Sequence, residues 1–285
     1  MPAPYFVILL GFGRFVQRCG SGMGCKVKRG AKHGFLTRTA QGSIAATTLT
    51  KDSAMADLST LPITHRWPAA NPDVIQLYSF PTPNGVKVSI ALEEMGLPYE
   101  AHRVTLSDAD VKSPEFLSLN PNNKIPAILD PNGPDGAPIG LFESGAILVY
   151  LADKSGQFIG TGAQRFKTIQ WLMFQMGGVG PMFGQMGFFS KFAGAAIEDP
   201  RPRERYLNEA ARLLQVLDKE LADKDWITGE YSIADMAIAP WLNSLEFYGT
   251  KPLVGWSERK NVQAYLERFL ARPAVQRGMR IPAQG

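Results

Sequence analysis

Two short stretches bring together the residue types that anion and thiol chemistry require. Thr82-Pro-Asn-Gly85 places a hydroxyl and an amide in a turn that feeds a helix. Read alone, it is a turn whose Thr or Asn caps that helix. A sulfur lodged beside it would feel the positive end of the helix dipole, the Thr82 hydroxyl and the Asn84 amide. All three favour thiolate over thiol, and the thiolate is the nucleophile. Lowering a thiol pKa from about 8.5 toward ambient pH raises the reactive fraction while keeping most of the nucleophilicity. The second stretch is Glu143-Ser144. Read alone, it is a strand end followed by an N-cap serine. Read as a site, a helix N-terminus offers unpaired N–H groups to a carboxylate, and Glu143 offers a partner to an ammonium.

Other residues carry weaker signals. Lys124 precedes Ile125-Pro126, and a Pro inside a strand marks an edge or a special turn; Lys124 by itself is a solvated charge. Arg205 lies on an amphipathic stretch, where an Arg is usually solvated or in a surface ion pair. Tyr78 and Ser79 are near the turn, with Tyr78 suited to packing in a strand. Ser232-Ile-Ala-Asp235 has the form of a capping box, flanked by Tyr231 and Met236 in the staple positions, and reads as structural.

Composition removes several classes. Residues 1–54 hold eight basic residues and one acid, so under the chain's net +4 the remainder carries −3. The basic character therefore belongs to a tail, and a nucleic-acid groove on the body is not supported. Cys19 and Cys25 also lie in that tail. Without cysteine the body has neither a disulfide framework nor a cysteine nucleophile, and redox chemistry there needs a borrowed thiol. His65 and His102 stand near no nucleophile motif and are too few for a metal cluster, so no metal is expected. No apolar run approaches the roughly 20 residues that span a bilayer, and no membrane association is expected. The tail itself admits three readings: a disordered extension, with Met55 as an alternative start; a transit peptide; or a secretory signal, which its charge pattern disfavours.

The elements that must position these residues follow from periodicity. Val74–Phe80 reads as a strand, Val86–Met95 as a helix stopped by Gly96, and Pro98–Leu106 as a second strand. Ser113-Pro-Glu-Phe starts another helix. Lys124–Leu129 and Gly140–Glu143 read as strands, and Ser144–Lys154 as a helix ended by Gly156. This β-α-β-α-β-β-α order implies a small mixed sheet with helices packed on it. Helices are then expected over 163–178, 203–222, 232–247 and 257–271. The expected organisation is a basic tail and lead-in over 1–73, mostly unstructured, an α/β domain over 74–156 and an all-helical domain over 163–275.

Tyr78-Ser-Phe-Pro-Thr-Pro-Asn-Gly85, Asn120-Pro-Asn-Asn-Lys-Ile-Pro-Ala-Ile128 and Leu141-Phe-Glu-Ser-Gly-Ala-Ile-Leu148 resemble the glutathione transferases. Within them the chain is most similar to the bacterial nu class, which are glutathione-dependent disulfide-bond oxidoreductases. Gln170–Met182, Gly184-Gln185 and Ser232–Ala237 extend the resemblance, which covers roughly 74–275. It implies a thioredoxin-like domain followed by an all-α domain, in a homodimer. It also implies glutathione as cosubstrate, with Thr82 and Asn84 at its sulfur. Lys124, Ile125, Pro126, Glu143 and Ser144 would bind the rest, the Ile125-Pro126 bond being cis. Arg205 would reach glutathione in the neighbouring subunit. Where some relatives have His or Asn after the Gly-Gln pair, this chain has Met186-Gly-Phe-Phe189, which implies a more apolar second-substrate pocket.

Three functions compete on this basis. In the first, glutathione thiolate reduces a small disulfide. In the second, it attacks an electrophile or a hydroperoxide, as a transferase or peroxidase. In the third, the fold binds partners without catalysis, although such a protein would not need to activate sulfur. The cytoplasm is the expected compartment, since free glutathione is required and the body carries no disulfides.

Overall fold

The computed structural model describes residues 58–283; the readings of the basic tail lie outside the described residues. Four strands, β1 (Ile75–Ser79), β2 (Tyr99–Arg103), β3 (Ala127–Asp130) and β4 (Ile139–Phe142), form one sheet in the order β2-β1-β3-β4. β1 runs parallel to β2 and antiparallel to β3, and β3 is antiparallel to β4. This is a thioredoxin-like mixed sheet. All five residues of β1 are buried, as expected of a strand covered on both faces.

The period of two sorts the strands between two cores. Ile75, Leu77 and Ile128 face the larger core, which continues into the helical half. Tyr78 and Leu129 face a smaller one with Ile63, Val104 and Phe116. The smaller core is closed by α1 (Pro62–Arg66), α3 (Asp108–Val111) and α4 (Pro114–Leu119), and the larger by α2 (Gly85–Met95) and α5 (Ser144–Ser155). Ser113 caps α4 by accepting from Phe116 N, and Gly96 and Gly156 end α2 and α5 in the left-handed conformation. The 58–73 stretch, expected as part of a mostly unstructured lead-in, includes a helical turn at Leu58–Thr60 and α1. Leu58 and Ile63 are buried there, and the Trp67 indole donates to the Arg103 carbonyl. Five residues of helix are too few to show a period.

The second half is all helical: α6 (Gly162–Phe174), α7 (Gly180–Lys191), α8 (Arg201–Glu220), α9 (Ile233–Tyr248), α10 (Lys260–Leu270) and α11 (Pro273–Gly278). α6 runs into α7 through a π-helical turn, Gln175–Val179, so the helix expected to stop near 178 continues. Pro181 directly follows the π turn, whose i→i−5 bond from Gly180 N to the Gln175 carbonyl already interrupts the regular ladder there. α9 is buried along most of its length and begins with the expected capping box: Ser232 accepts from Ala234 N, and Asp235 accepts from Ser232 N. α2 packs against α5, α9 and α11, so its N-terminus lies at the junction of the two halves.

Candidate functional site

The Thr82–Gly85 turn starts α2 through two bonds from one residue. Thr82 Oγ1 accepts from Gly85 N at 3.1 Å, and its carbonyl accepts from Val86 N at 3.0 Å. Thr82 is therefore the residue that caps this turn. Since its oxygen is already an acceptor, its hydroxyl proton is available to a ligand. Only glycine fits at 85, where a Cβ would lie 1.9 Å from the Phe80 carbonyl oxygen.

Asn84 is fixed from the other half of the protein. The Trp241 indole on α9 donates to Asn84 Oδ1 at 3.1 Å. An indole N–H can only donate, so this contact assigns the amide: oxygen toward Trp241, NH2 away from it. Thr82 and Asn84 thus present a hydroxyl and an amide donor at the positive end of α2.

A cleft of about 510 Å³ begins at Asn84 and Trp241 and runs past Lys124, Ile125 and Pro126 to Glu143 and Ser144. Its far wall is the π turn with Gln175 and Met176, followed by Gln185. The Ile125-Pro126 bond is cis. The loop before it is held by Asn120, which is buried, accepts from Asn122 N and donates to the Lys124 carbonyl at 2.5 Å. Lys124 itself is exposed at the rim. Glu143 has φ of +68°, unusual for a side chain with Cβ, and such strain gathers at ligand sites. Its carboxylate accepts from Asn122 Nδ2 at 3.5 Å. Ser144 opens α5 and is buried.

The structure therefore brings Asn84, Lys124, Ile125, Pro126, Glu143 and Ser144 to one cleft. Thr82 lines an adjoining recess with Asn84, Lys124 and Ile125. It also borders an apolar pocket of about 500 Å³ with Phe192, Phe247 and Tyr248. Arg205 is exposed on α8 and is not brought to the cleft within this chain. Tyr78 is buried in the small core, stacked on His102 with ring centroids 4.8 Å apart. The Met186–Phe189 run does not line the apolar pocket: Met186 is in the main core and Phe189 stacks on Tyr206.

Three participants escaped sequence reasoning. Trp241 and Gln175 are two. The third is Lys87, fully buried on α2. Its Nζ donates to Gln175 Oε1 at 2.6 Å and to Ser144 Oγ at 3.2 Å, and lies 3.6 Å from Met176 Sδ. Burial pushes this ammonium down to about 7, while the Glu143 carboxylate pulls the other way. The signal available was a lone lysine within Val86–Leu92, a segment that carries no other charge. Gln175 is held in place partly by Gly180, where a Cβ would meet Gln175 Nε2 at 2.5 Å. Among the described residues no cluster of His, Cys, Asp or Glu could hold a metal ion. None of the helices there is long and apolar enough to cross a membrane.

A thioredoxin-like sheet with a hydroxyl and an amide at the start of its first crossover helix, joined to an all-helical half, has the architecture of the glutathione transferases. The sequence matches the N-terminal domain of glutathione S-transferases over residues 73–153 and their C-terminal domain over 182–273. The chain belongs to the glutathione transferase family. Among curated relatives it is 45% identical over 205 residues to the disulfide-bond oxidoreductase YfcG of Escherichia coli, covering 71% of this chain and 93% of that one. It is 41% identical over 215 residues to the disulfide-bond oxidoreductase YghU of the same organism, covering 72% and 73%. Among solved structures, a glutathione transferase from Pseudomonas putida with one glutathione disulfide bound per subunit is 62% identical. It superposes with a TM-score of 0.78 over 80% of this chain and 100% of that one. One from Burkholderia graminis with two glutathione molecules per subunit is 61% identical, with a TM-score of 0.80 over 81% and 98%.

Proposed function

We propose that the chain is a glutathione-dependent disulfide-bond reductase. The observation that carries this reading is the fixed pair of donors at the start of α2, the Thr82 hydroxyl and the Asn84 amide set by Trp241. Glutathione lies along the cleft with its sulfur at these donors and its γ-glutamyl end at Glu143 and Ser144. There the ammonium pairs with the carboxylate and the α-carboxylate meets the N-terminus of α5. The thiolate attacks one sulfur of a disulfide R–S–S–R′. The S–S bond breaks, R′–S⁻ leaves and takes a proton from solvent, and a mixed disulfide of glutathione and R remains. A second glutathione thiolate attacks that bond, giving glutathione disulfide and R–S⁻. Two glutathiones supply the two electrons, so the cysteine-free body needs no thiol of its own.

The relatives named disulfide-bond oxidoreductases support this reading, as do solved relatives holding glutathione disulfide or two glutathiones. The working form is a homodimer in the cytoplasm, where reduced glutathione is plentiful. Phe166 and Met173, seven residues apart on α6, leave an apolar face at 72% and 51% exposure for a second copy. Arg205 reaches the partner's glutathione in that arrangement. A second reading is favoured by the apolar pocket beside Thr82, with Phe192 and Phe247 in its wall. It would hold the apolar body of an electrophile or hydroperoxide next to the same thiolate, giving transferase or peroxidase activity.

The test is glutathione-dependent turnover of a small model disulfide by the full chain, with Thr82→Ala and Asn84→Ala beside it. Loss of one donor lowers kcat/KM about 10-fold or more, since a hydrogen bond to a charged group contributes roughly 1.5–3 kcal/mol. Glutathione binding without disulfide turnover refutes the reductase reading and leaves the transferase one.

A further inference from the structure

Lys87 presents an electrostatic imbalance. It is the third residue of α2, and its ammonium touches Ser144, the first residue of α5. A buried cation thus sits between two helix N-termini, both of which carry positive partial charge. Both helix dipoles oppose its charge, and against them stand only the neutral acceptors Gln175 Oε1 and Ser144 Oγ and the Glu143 carboxylate. The counter-charge acting on it is Glu143. The other acids of α2, α5 and α9 are engaged elsewhere, Asp153 with Arg165 and Glu246 with Lys251. Asp235 of α9 accepts from Ser232 and Ile227, Glu93 pairs with Tyr99 and Arg277, and Glu94 pairs with Arg272. The cation of α11 is Arg277, Arg272 immediately precedes that helix, and Lys124 stands across the cleft. Glu143 is thus the carboxylate set against Lys87 and two helix N-termini, which leaves positive potential for an anion in the cleft.

Resting on the glutathione reading above, we propose that Lys87 is a positioning residue for the γ-glutamyl α-carboxylate. Its ammonium holds Ser144 as a donor and supplies the buried charge that the carboxylate neutralises. The hydrogen bonding requires the first part. Ser144 Oγ accepts from Lys87, so its own proton must point elsewhere, and it is directed at Met176 Sδ, 3.7 Å away. Sulfur is a weak acceptor, and a carboxylate oxygen in the cleft replaces it at a gain. Gln175 Oε1 fixes the ammonium from the other side, which gives the π turn a function. The chemistry specifies the ligand class: a free α-amino-acid end, its carboxylate served by Lys87 and Ser144 and its ammonium by Glu143. Binding of that carboxylate also restores to Lys87 the proton that burial disfavours.

The experiment uses thiol-free ligands, so that sulfur ionisation does not intrude. S-methylglutathione is compared with an analogue whose γ-glutamyl group is replaced by 4-aminobutanoyl, lacking the carboxylate, and with one carrying glutaryl, lacking the ammonium. Affinities are measured by calorimetry on the full chain and on Lys87→Met, with folding of the variant checked by thermal melting. The wild type prefers S-methylglutathione over the 4-aminobutanoyl analogue, and Lys87→Met cuts that preference about 10-fold or more, as expected for a desolvated charge interaction. The variant weakens the glutaryl analogue as much as the parent. In buffers of different ionisation enthalpy at about pH 8, binding of the glutaryl analogue by the wild type takes up protons that the variant does not. S-methylglutathione bound by both proteins with an unchanged preference overturns the role of Lys87 alone. Should the variant not fold, a wild type that binds the glutaryl analogue without proton uptake overturns it equally. A wild type that binds no S-methylglutathione overturns the glutathione reading, and this proposal with it.

Discussion

Asn84→Asp separates the charge of this side chain from its shape. The introduced carboxylate keeps an oxygen for the Trp241 indole, so the bond that crosses between the halves survives. A carboxylate near the N-terminus of α2 also complements the dipole, so thermal stability is unchanged or slightly raised. At the sulfur the effect reverses: an NH2 donor becomes a negative charge. Two charges about 4 Å apart interact by roughly 4 kcal/mol at an effective dielectric constant of about 20, equivalent to about three units of thiol pKa. Asn84 is only half-buried, and solvent screening brings the expected rise to about one to two units. The assay is titration of bound glutathione in the ultraviolet thiolate band, with S-methylglutathione as blank. Activity follows the same curve, falling about 10- to 100-fold near pH 7 and recovering as pH rises. An unchanged thiol titration in a folded, glutathione-binding variant would refute the placement of the sulfur beside Asn84.

Trp241→Phe removes the donor that orients the Asn84 amide while keeping most of the packing. Loss of one hydrogen bond of about 1 kcal/mol lowers kcat/KM roughly 5-fold, with a smaller change in KM for glutathione; steady-state kinetics check this. Asp235→Ala strips the capping box of α9 and leaves the buried N–H groups of Ile227 and Ser232 without their acceptor. The expected destabilisation is about 2–4 kcal/mol by urea denaturation, and a loss below about 0.5 kcal/mol contradicts it. For Lys87 the folded value of about 7 lies below the ordinary 10.5. Between those values the unfolded chain binds more protons than the folded one, so stability rises with pH, and below about 7 the full burial penalty is present. The ligand-free wild type therefore gains stability relative to Lys87→Met by up to about 1.4 kcal/mol per pH unit above neutrality. Parallel stability curves for the two proteins would show that the lysine stays charged.

The order of the four strands and of α2, α4, α5, α6 and α8 to α10 was legible because local chemistry decides it, whereas α1, α3, α7 and α11 were not anticipated. Ser113 before Pro114, Gly96 and Gly156 after apolar helices, and Ser232 with Asp235 all act within a few residues. The two stretches around Thr82 and Glu143 were legible as helix starts for the same reason, because helix starts have signatures. What stayed hidden depends on contacts distant in sequence. Trp241 meets Asn84 across 157 positions, and Lys87 meets Ser144 across 57 and Gln175 across 88. The junction of α6 and α7 was obscured differently. Gly177, Gly178, Gly180 and Pro181 are residue types that ordinarily interrupt a helix, whereas a π turn keeps the chain helical through them.

Those distant contacts show why this site needs both halves of the chain. The thioredoxin-like half contributes Thr82, Asn84, the cis-Pro126 loop, Glu143 and Ser144, all placed by its own turns and caps. Yet two of these groups are ambiguous until the helical half touches them. An amide can present either its oxygen or its NH2 to a ligand, and a hydroxyl can point its proton in several directions. Trp241 from α9 resolves the first ambiguity directly. Gln175 from the π turn resolves the second at one remove, by holding the ammonium that occupies the Ser144 oxygen. The helical half therefore does more than wall the cleft: it sets the polarity of groups at both ends. Substitutions there that leave every residue of the thioredoxin-like half in place can still reverse which atoms face the cleft.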